Sequence, residues 1–316
     1  MTVIHCISMS TGKDSVATAL VAMETQPRES IRIAFADTGN EHELVYEHLD
    51  YLEQALSMPI TRLRVNFYGE IARKREYVLT HWARKGVPAA DIERAARALI
   101  PTGNPYLDLC LWKGRFPSRR AQFCTDFLKT RPLVEYQMGF IERGEAEAVW
   151  SWQGVRIDES DSRRTRFQGT GACVRHFDVV GGGLFNYRPI LRWRADDTFE
   201  AAALHGLRPN PLYRLGMTRV GCMPCINANK DEILEISKRF PGHIDRIEYW
   251  EHLVSQTTKR EGASFFPDPE RDAHLNRRGI RNVVEWSKTK RGGQLMDFIR
   301  INEESKACES AYGLCE

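Results

Sequence analysis

Two short segments hold the residues best suited to chemistry. The first is S-T-G-K-D-S at 10–15, in which small and hydroxyl residues surround one lysine and one aspartate. The second is G-C-M-P-C at 221–225, in which Cys222 and Cys225 have the spacing of a metal-binding or redox pair. The first composition suits an anion, and the second suits a soft metal or a metal cluster.

The 10–15 segment follows the apolar run V-I-H-C-I-S and precedes a helical pattern of apolar residues. Gly12 allows a ligand to approach the backbone closely, and the start of a helix offers unpaired N–H groups to an anion. Lys13 adds a positive charge, and hydroxyl donors come from Ser10, Thr11 and Ser15. We therefore predict a phosphate-binding turn.

This turn differs from the common P-loop, G-x-x-x-x-G-K-[ST]. Ile7 stands where the first glycine of that pattern belongs, and Asp14 follows the lysine in place of Ser or Thr. The P-loop interpretation is therefore excluded.

The elements that must position the turn alternate between strands and helices. Apolar runs predict strands at 3–7, 31–37 and 60–67, and amphipathic patterns predict helices at 14–24 and 40–56. This order is typical of an α/β fold, a parallel twisted sheet flanked by helices. Ligands bind such sheets outside the carboxyl ends of the strands, where the 10–15 turn would lie.

The rest of the chain divides into patterned and irregular stretches. Residues 70–99 look helical, 100–128 show no clean period, and the chain after 225 looks mainly helical. A loop is expected between strands near 148–157 and 186–191. We predict a nucleotide-binding domain at 1–225 and a helical C-terminal region at 226–316.

Composition excludes little by itself. The chain has 316 residues and a net charge of +3, with basic stretches at 113–120 and 271–291 that form either solvated surface or a phosphate-binding face. It has no apolar run approaching the roughly 20 residues of a membrane span, and no secretory signal is recognisable. We expect a cytoplasmic protein without a membrane partner.

The S-T-G-K-D-S segment resembles the pyrophosphate loop, S-G-G-K-D-S, of the adenine nucleotide alpha hydrolase or N-type ATP-pyrophosphatase superfamily, with Thr11 in place of a glycine. The resemblance implies a Rossmann-like fold and cleavage of ATP between its α and β phosphates. In this interpretation Ser10, Gly12 and Ser15 cradle the pyrophosphate and Lys13 stabilises its charge. Asp14 orients the loop or helps to hold Mg²⁺.

Three further segments are similar to the phosphoadenosine phosphosulfate (PAPS) reductase branch of this superfamily. F-A-D-T-G resembles its D-T-G motif, which implies an adenosine pocket formed by Phe35, Asp37, Thr38 and Gly39. G-V-R-I-D-E-S-D-S-R resembles G-x-R-x-x-x-S-x-x-R, which places near the nucleotide Gly154, Arg156, Ser160 and Arg163. The stretch R-P-I-L-R-W…N-P-L-Y…G-C-M-P-C completes the resemblance. Arg156 and Arg163 would bind the α-phosphate or the acceptor.

The branch contains two chemistries. ATP-using members keep the loop lysine because the two extra phosphates bring negative charge, whereas sulfonucleotide reductases replace it and use a cysteine in E-C-G-[LI]-H. Lys13 favours ATP, and the terminal Y-G-L-C-E is not the reductase motif. We predict an ATP pyrophosphatase that adenylates a substrate for sulfur transfer, as DNA-phosphorothioation and transfer-RNA thiolation enzymes do.

The expected partners of such an enzyme are DNA or RNA, a sulfur donor such as a cysteine desulfurase, and a second copy of the chain. Two alternatives stay open. One is a sulfonucleotide reductase that releases sulfite, and the other is a non-catalytic nucleotide- or nucleic-acid-binding subunit.

The cysteines resemble those of the iron–sulfur members. F-C-T-D-F-L-K is similar to their C-C-x-x-x-K element, with Phe123 in place of the first cysteine. Four thiolates usually hold a [4Fe–4S] cluster, and our candidate ligands are Cys110, Cys124, Cys222 and Cys225. Zinc, a metal-free redox pair or plain buried thiols are the alternatives, while the less favoured ligands are Cys173 and Cys308. Cys6 and His5 are predicted to be structural.

Overall fold

A computed structural model describes residues 2–159, 163–165, 173–179, 182–259, 262–267 and 279–289. Its centre is one six-stranded sheet in the order β3-β2-β1-β4-β6-β5. The strands are β1 (Val3–Met9), β2 (Ile31–Asp37), β3 (Ile60–Arg64), β4 (Ala148–Trp152), β5 (Cys173–Val179) and β6 (Gly182–Tyr187). All neighbours are parallel except β5, which pairs antiparallel with β6 at the edge.

Helices cover both faces of the sheet. Those before β4 are α1 (Lys13–Thr25), α2 (Glu43–Ala55), α3 (Tyr68–His81), α4 (Ala89–Ala98), α5 (Pro105–Lys113), α6 (Phe123–Thr125) and α7 (Arg131–Glu142). Those after β6 are α8 (Ala195–Leu204), α9 (Pro211–Arg214), α10 (Lys230–Arg239), α11 (Pro241–Gln256) and α12 (Ile280–Ser287). None of these described helices is both long and apolar enough to cross a membrane.

The predicted α/β class is confirmed, and so are the helical character of 70–99 and of the described part of the C-terminal region. Two local predictions were wrong. The irregular stretch at 100–128 contains α5, and the expected loop before residue 186 contains β5. Helix α5 has no polar face because Pro105 to Leu111 are all buried, so it shows no amphipathic period.

The main hydrophobic core runs through both predicted regions. It joins Ile7 of β1 and Leu49 of α2 to Ile247 of α11 and Trp286 of α12. A smaller core under β1, β4 and α7 contains Cys6 and Phe140. The boundary at 225 therefore stays a prediction. Cys6 lies among apolar side chains of the smaller core.

The core also contains an ionisable ring, and we expect the fold to lose stability as the pH falls from about 6.5 to about 4. His48 of α2 is buried against Tyr51, and burial lowers its pKa from 6.5 to about 4, with a further contribution from Arg208. Over this interval the unfolded chain binds a proton that the folded chain refuses, so the free energy of unfolding falls, by up to about 1.4 kcal/mol per pH unit.

Urea unfolding midpoints measured across this pH interval test the prediction. A His48→Gln variant should show a shallower dependence of the midpoint on pH. Partial or full burial also lowers the pKa values of His5, His42 and His243, so these residues will leave part of the dependence. An identical slope in the variant and the parent would contradict the assignment.

Candidate nucleotide and cysteine site

The 10–15 loop lies at the carboxyl end of β1, next to the end of β4. The chain leaves β1 toward β2 on one side, while β4 pairs with β1 on the other, so the strand order reverses here. Open α/β sheets bind ligands at such reversal points. The location matches the predicted ligand site.

Helix α9 holds the loop from the other side. Thr11 has a φ of +64°, a left-handed conformation that threonine rarely adopts. Its Oγ1 accepts a hydrogen bond from Asn210 Nδ2 at 3.1 Å, and Tyr213 Oη accepts one from the Lys13 backbone N–H at 2.9 Å. The N-P-L-Y segment therefore fixes the loop, and the Thr11 hydroxyl contributes a contact that the glycine of the resembled pattern would lack.

Ser15 closes the loop from inside. Ser15 is buried. Its Oγ accepts a hydrogen bond from the Ser10 backbone N–H at 3.1 Å and donates one to the Gly12 carbonyl at 2.9 Å. The predicted cradle residues thus lie together, and the Ser15 hydroxyl serves the loop's own conformation.

A buried ion pair joins the loop to the segment after β4. Arg156 Nε donates to Asp14 Oδ1 at 2.6 Å, and both side chains are 3% exposed. Lys13 Nζ lies 3.5 Å from the other oxygen, Asp14 Oδ2. Only glycine fits at position 154, because a Cβ there would lie 2.8 Å from the carbonyl carbon of Asp14.

The second half of the G-x-R-x-x-x-S-x-x-R element consists of Ser160 and Arg163. Arg163 is buried and pairs with Glu159. Ser160 lies outside the described residues. The predicted phosphate contacts of Arg156 and Arg163 stay predictions.

The loop after β2 connects the nucleotide end of the sheet to the cysteines. Asp37 accepts hydrogen bonds from the Gly39 backbone N–H at 2.9 Å and from Tyr46 Oη at 2.7 Å. Gly39 has a φ of +76° and packs against Pro105, the first residue of α5. Asn104 Nδ2 donates to the Gly39 carbonyl at 2.7 Å, so this loop also holds the helix that carries Cys110.

The same loop holds the G-C-M-P-C segment. Thr38 Oγ1 donates to Glu41 Oε1 at 2.6 Å and lies 3.4 Å from Cys222 Sγ. The Met223 backbone N–H donates to the Asn40 carbonyl at 2.8 Å, and Asn40 Nδ2 donates to the Pro224 carbonyl at 3.0 Å. Of the predicted adenosine residues, Thr38 therefore contacts Cys222, and the nearby Asn40 holds Met223 and Pro224.

A cleft of about 620 Å³, including its open mouth, runs between these parts. Its lining combines the 10–15 loop, the end of β2 and the cysteine-bearing segments: Ser10, Ser15, Phe35, Glu41, Lys129 and Gly221. Phe35 is thus the adenosine candidate that faces the cleft.

The four predicted ligand cysteines all act electrostatically on Tyr106. Burial raises the pKa of Tyr106 well above its usual value, and a negative charge on any of the four thiols raises it further. Burial is also the main cause of the raised pKa values of Cys110, Cys124 and Cys222; the pKa reaches about 12 for Cys124, where a charge on Cys225 increases it. Metal binding would have to remove these protons.

Two observations bear on what such a group could hold. The Tyr106 hydroxyl is buried and has no hydrogen-bond partner among the described residues, so a sulfur-rich group with acceptor atoms would fit beside it. Within the described parts of the chain, no three cysteine sulfurs are spaced to share one ion.

The group that does have single-ion spacing is His42, Glu43 and His243, whose ligand atoms lie within 4.8 Å of one another. The two rings are stacked with an interplanar angle of 14°, and His42 Nδ1 accepts the Leu44 backbone N–H at 3.0 Å. Nitrogen lone pairs lie in the ring plane, so stacked rings cannot both point at one ion. We interpret this group as packing at the start of α2.

Lys129 is a cleft residue that our sequence analysis did not select. Four residues separate it from Cys124, against three in the C-C-x-x-x-K element, and a π-helical turn over Asp126–Thr130 accommodates the extra one. A charge at Lys129 lowers the pKa values of Cys124 and Cys222, which burial raises. The lysine of the C-C-x-x-x-K element could have identified Lys129 from the sequence. The N-P-L-Y motif could likewise have identified Tyr213, which contacts the 10–15 loop.

Together, the strand order and the loop at its reversal point define an α/β protein with a candidate ligand site at the carboxyl end of its sheet. Residues 108–228 match the phosphoadenosine phosphosulfate reductase domain. The chain belongs to the PAPS reductase-like family of the adenine nucleotide alpha hydrolase superfamily.

Its relatives include two phage proteins. The "Uncharacterized 37.8 kDa protein in gpa 5′ region" of Escherichia phage 186 is 39% identical over 99% of this chain and 97% of its own length. An uncharacterized nin region protein of Escherichia phage lambda is 29% identical over 62% of this chain and 61% of its own. A phosphate complex of the PAPS reductase from Candida auris matches 71% of this chain and 83% of that chain, at 15% identity and a TM-score of 0.41.

Proposed function

We propose that this protein is an ATP pyrophosphatase that adenylates a nucleic acid for sulfur transfer and carries a [4Fe–4S] cluster on Cys110, Cys124, Cys222 and Cys225. The observation that carries the proposal is a cleft lined both by Ser10 and Ser15 of the 10–15 loop and by Gly221, which adjoins Cys222 in the chain. An acceptor activated at the loop would therefore lie near the segment that carries Cys222.

Electrostatics favour a triphosphate. Asp14 is already neutralised by Arg156 at 2.6 Å, so the positive charge of Lys13 is not cancelled by that carboxylate. Lys13 stands at the first turn of α1, where backbone N–H groups also favour an anion. A sulfonucleotide lacks the β and γ phosphates that this charge would stabilise.

The proposed reaction has two steps. An acceptor oxygen attacks the α-phosphorus, the bond from that phosphorus to the β-bridging oxygen breaks, and pyrophosphate leaves with the bond's electron pair. In the second step a donor persulfide, such as that of a cysteine desulfurase, attacks the activated acceptor atom, and AMP leaves with the oxygen and the electron pair of the broken bond. A thiol reductant cleaves the S–S bond of this adduct, which leaves sulfur on the acceptor, frees the donor cysteine as a thiol and converts the reductant to a disulfide. Lys13 and the start of α1 stabilise the charge that develops on the leaving group.

The residues that would hold Mg²⁺ and those that would hold the cluster are supported to different degrees. Asp14 does not fit as a magnesium ligand, because Arg156 and Lys13 approach its two oxygens; Mg²⁺ would be held mainly by the nucleotide's phosphates. The cluster fits the four cysteines, and when bound it would supply a redox and sulfur-binding centre. The five described free cysteines agree with a reducing cytoplasm. A homodimer stays a proposal.

A cationic and aromatic face beside Cys124 supports a nucleic-acid acceptor. Lys113 Nζ lies 3.7 Å from the centre of the Trp112 ring and 4.3 Å from that of Phe127. Arg131 also lies 4.0 Å from the Phe127 centre, but Asp126 pairs with it, so Lys113 is the main cation of this face. Single strands bind to such combinations of positive charge and stacking surface. In the described part of the other basic stretch, Arg281 and Lys288 are paired with carboxylates, so that segment is less suitable.

The test is a direct comparison of substrates. Anaerobically purified protein is incubated with ATP and single-stranded DNA or RNA, and with sulfonucleotides plus a thiol reductant. We expect AMP and pyrophosphate from ATP. Sulfite release without ATP turnover would establish the reductase alternative, which the matched domain motivates, and turnover of neither substrate would favour a binding subunit.

A further inference from the structure

Tyr106 is held rigidly beside the four cysteines. Its side chain is 2% exposed, and its ring stacks between Trp250 and Phe265, with centroid distances of 5.7 and 5.9 Å. Tyr106 and Cys110 are one turn apart on α5. The ring therefore has little freedom to move its hydroxyl toward another hydrogen-bond partner.

The unpaired hydroxyl is unusual. A buried donor without a partner costs about 1–3 kcal/mol, and buried tyrosines usually find one. Cys110 lies one turn away on the same helix, and charges on Cys110, Cys124, Cys222 and Cys225 all act on the unpartnered hydroxyl. Protonated thiols are weak acceptors. Deprotonated, metal-bound sulfur is a much better acceptor because it is anionic.

We propose that the Tyr106 O–H donates a hydrogen bond to a sulfur atom of the cluster that these cysteines hold. The inference rests on the proposed cluster and adds a residue that tunes it. A hydrogen bond to cluster sulfur stabilises the more negative, reduced form, so Tyr106 raises the reduction potential. Tyr106 is a positioning residue, since it acts through the cluster.

The experiment compares Tyr106→Phe with the parent protein after anaerobic reconstitution. The variant keeps the stacked ring and loses only the hydroxyl. We expect unchanged iron content and a lower midpoint potential, equivalent to about a tenfold change in the reduced-to-oxidised ratio, or about 59 mV for one electron. Tyr136→Phe is the matched control, because the Tyr136 hydroxyl is paired with Thr61 of β3.

The outcomes separate the two proposals. A parent protein that binds no iron, or only zinc, would overturn both the cluster and this hydrogen bond. Normal iron with an unchanged potential would overturn the hydrogen bond alone. If Tyr106→Phe does not fold, the parent supplies the readout: its Fe–S stretching bands in the resonance Raman spectrum should shift in D₂O, and unshifted bands would count as failure.

Discussion

Replacing Lys13 with alanine should reduce pyrophosphate release from ATP by about 10²–10³-fold. The ammonium is 16% exposed in its side chain and lies at the start of α1, where the charge of a departing pyrophosphate would develop. The backbone N–H of residue 13 still donates to Tyr213 in the variant, so the loop should keep its conformation. The loss should therefore reflect charge and not folding.

Steady-state kinetics of AMP formation measure the effect. A loss mainly in kcat would indicate stabilisation of the transition state, whereas a rise in KM alone would indicate simple binding. Lys85→Ala is a matched control, since that lysine is exposed and contacts Tyr77. Equal turnover in Lys13→Ala and in the control would refute the role of Lys13.

Replacing Cys110 with serine should lower the iron content of anaerobically reconstituted protein by about tenfold and remove its brown absorbance, because the cluster loses one of four thiolates. Cys110 is fully buried on α5 and is the ligand with the least support from the family resemblance. It is therefore the sharpest test of the four-cysteine set.

Cys6→Ala is the control for Cys110→Ser. Cys6 is equally buried, but it packs in the smaller core with Val149 and Leu184, and burial raises its pKa to about 12. Its loss should leave iron content unchanged. Full iron in Cys110→Ser would assign the fourth position to another group.

The sheet could be predicted because β1 and β2 are apolar runs separated by a segment with apolar residues at helical spacing, namely 16, 19, 20 and 23. The loop residues were predictable for a similar reason, since Gly12 and Lys13 adjoin one another in the chain. Helix α5 was missed because complete burial erases the polar stripe by which a helix is recognised.

The environment of Tyr106 could not be predicted at all. The thiols that act electrostatically on it come from α5, α6 and the G-C-M-P-C segment, which only the tertiary fold brings together. The Asp14–Arg156 pair is similar, because its members are 142 positions apart. Local patterns reveal the elements and the family motifs, whereas long-range polar contacts depend on the final packing.

The loop after β2 has a thermodynamic consequence. Phe35 faces the cleft, and a few residues later Thr38 and Glu41 contact Cys222. In the proposed enzyme, a nucleotide that shifts this loop would change the energy of a metal-bound Cys222, and by reciprocity a change in the oxidation state of the cluster would change nucleotide affinity by the same factor. Titrating nucleotide at two fixed redox states would measure that coupling as a ratio of dissociation constants.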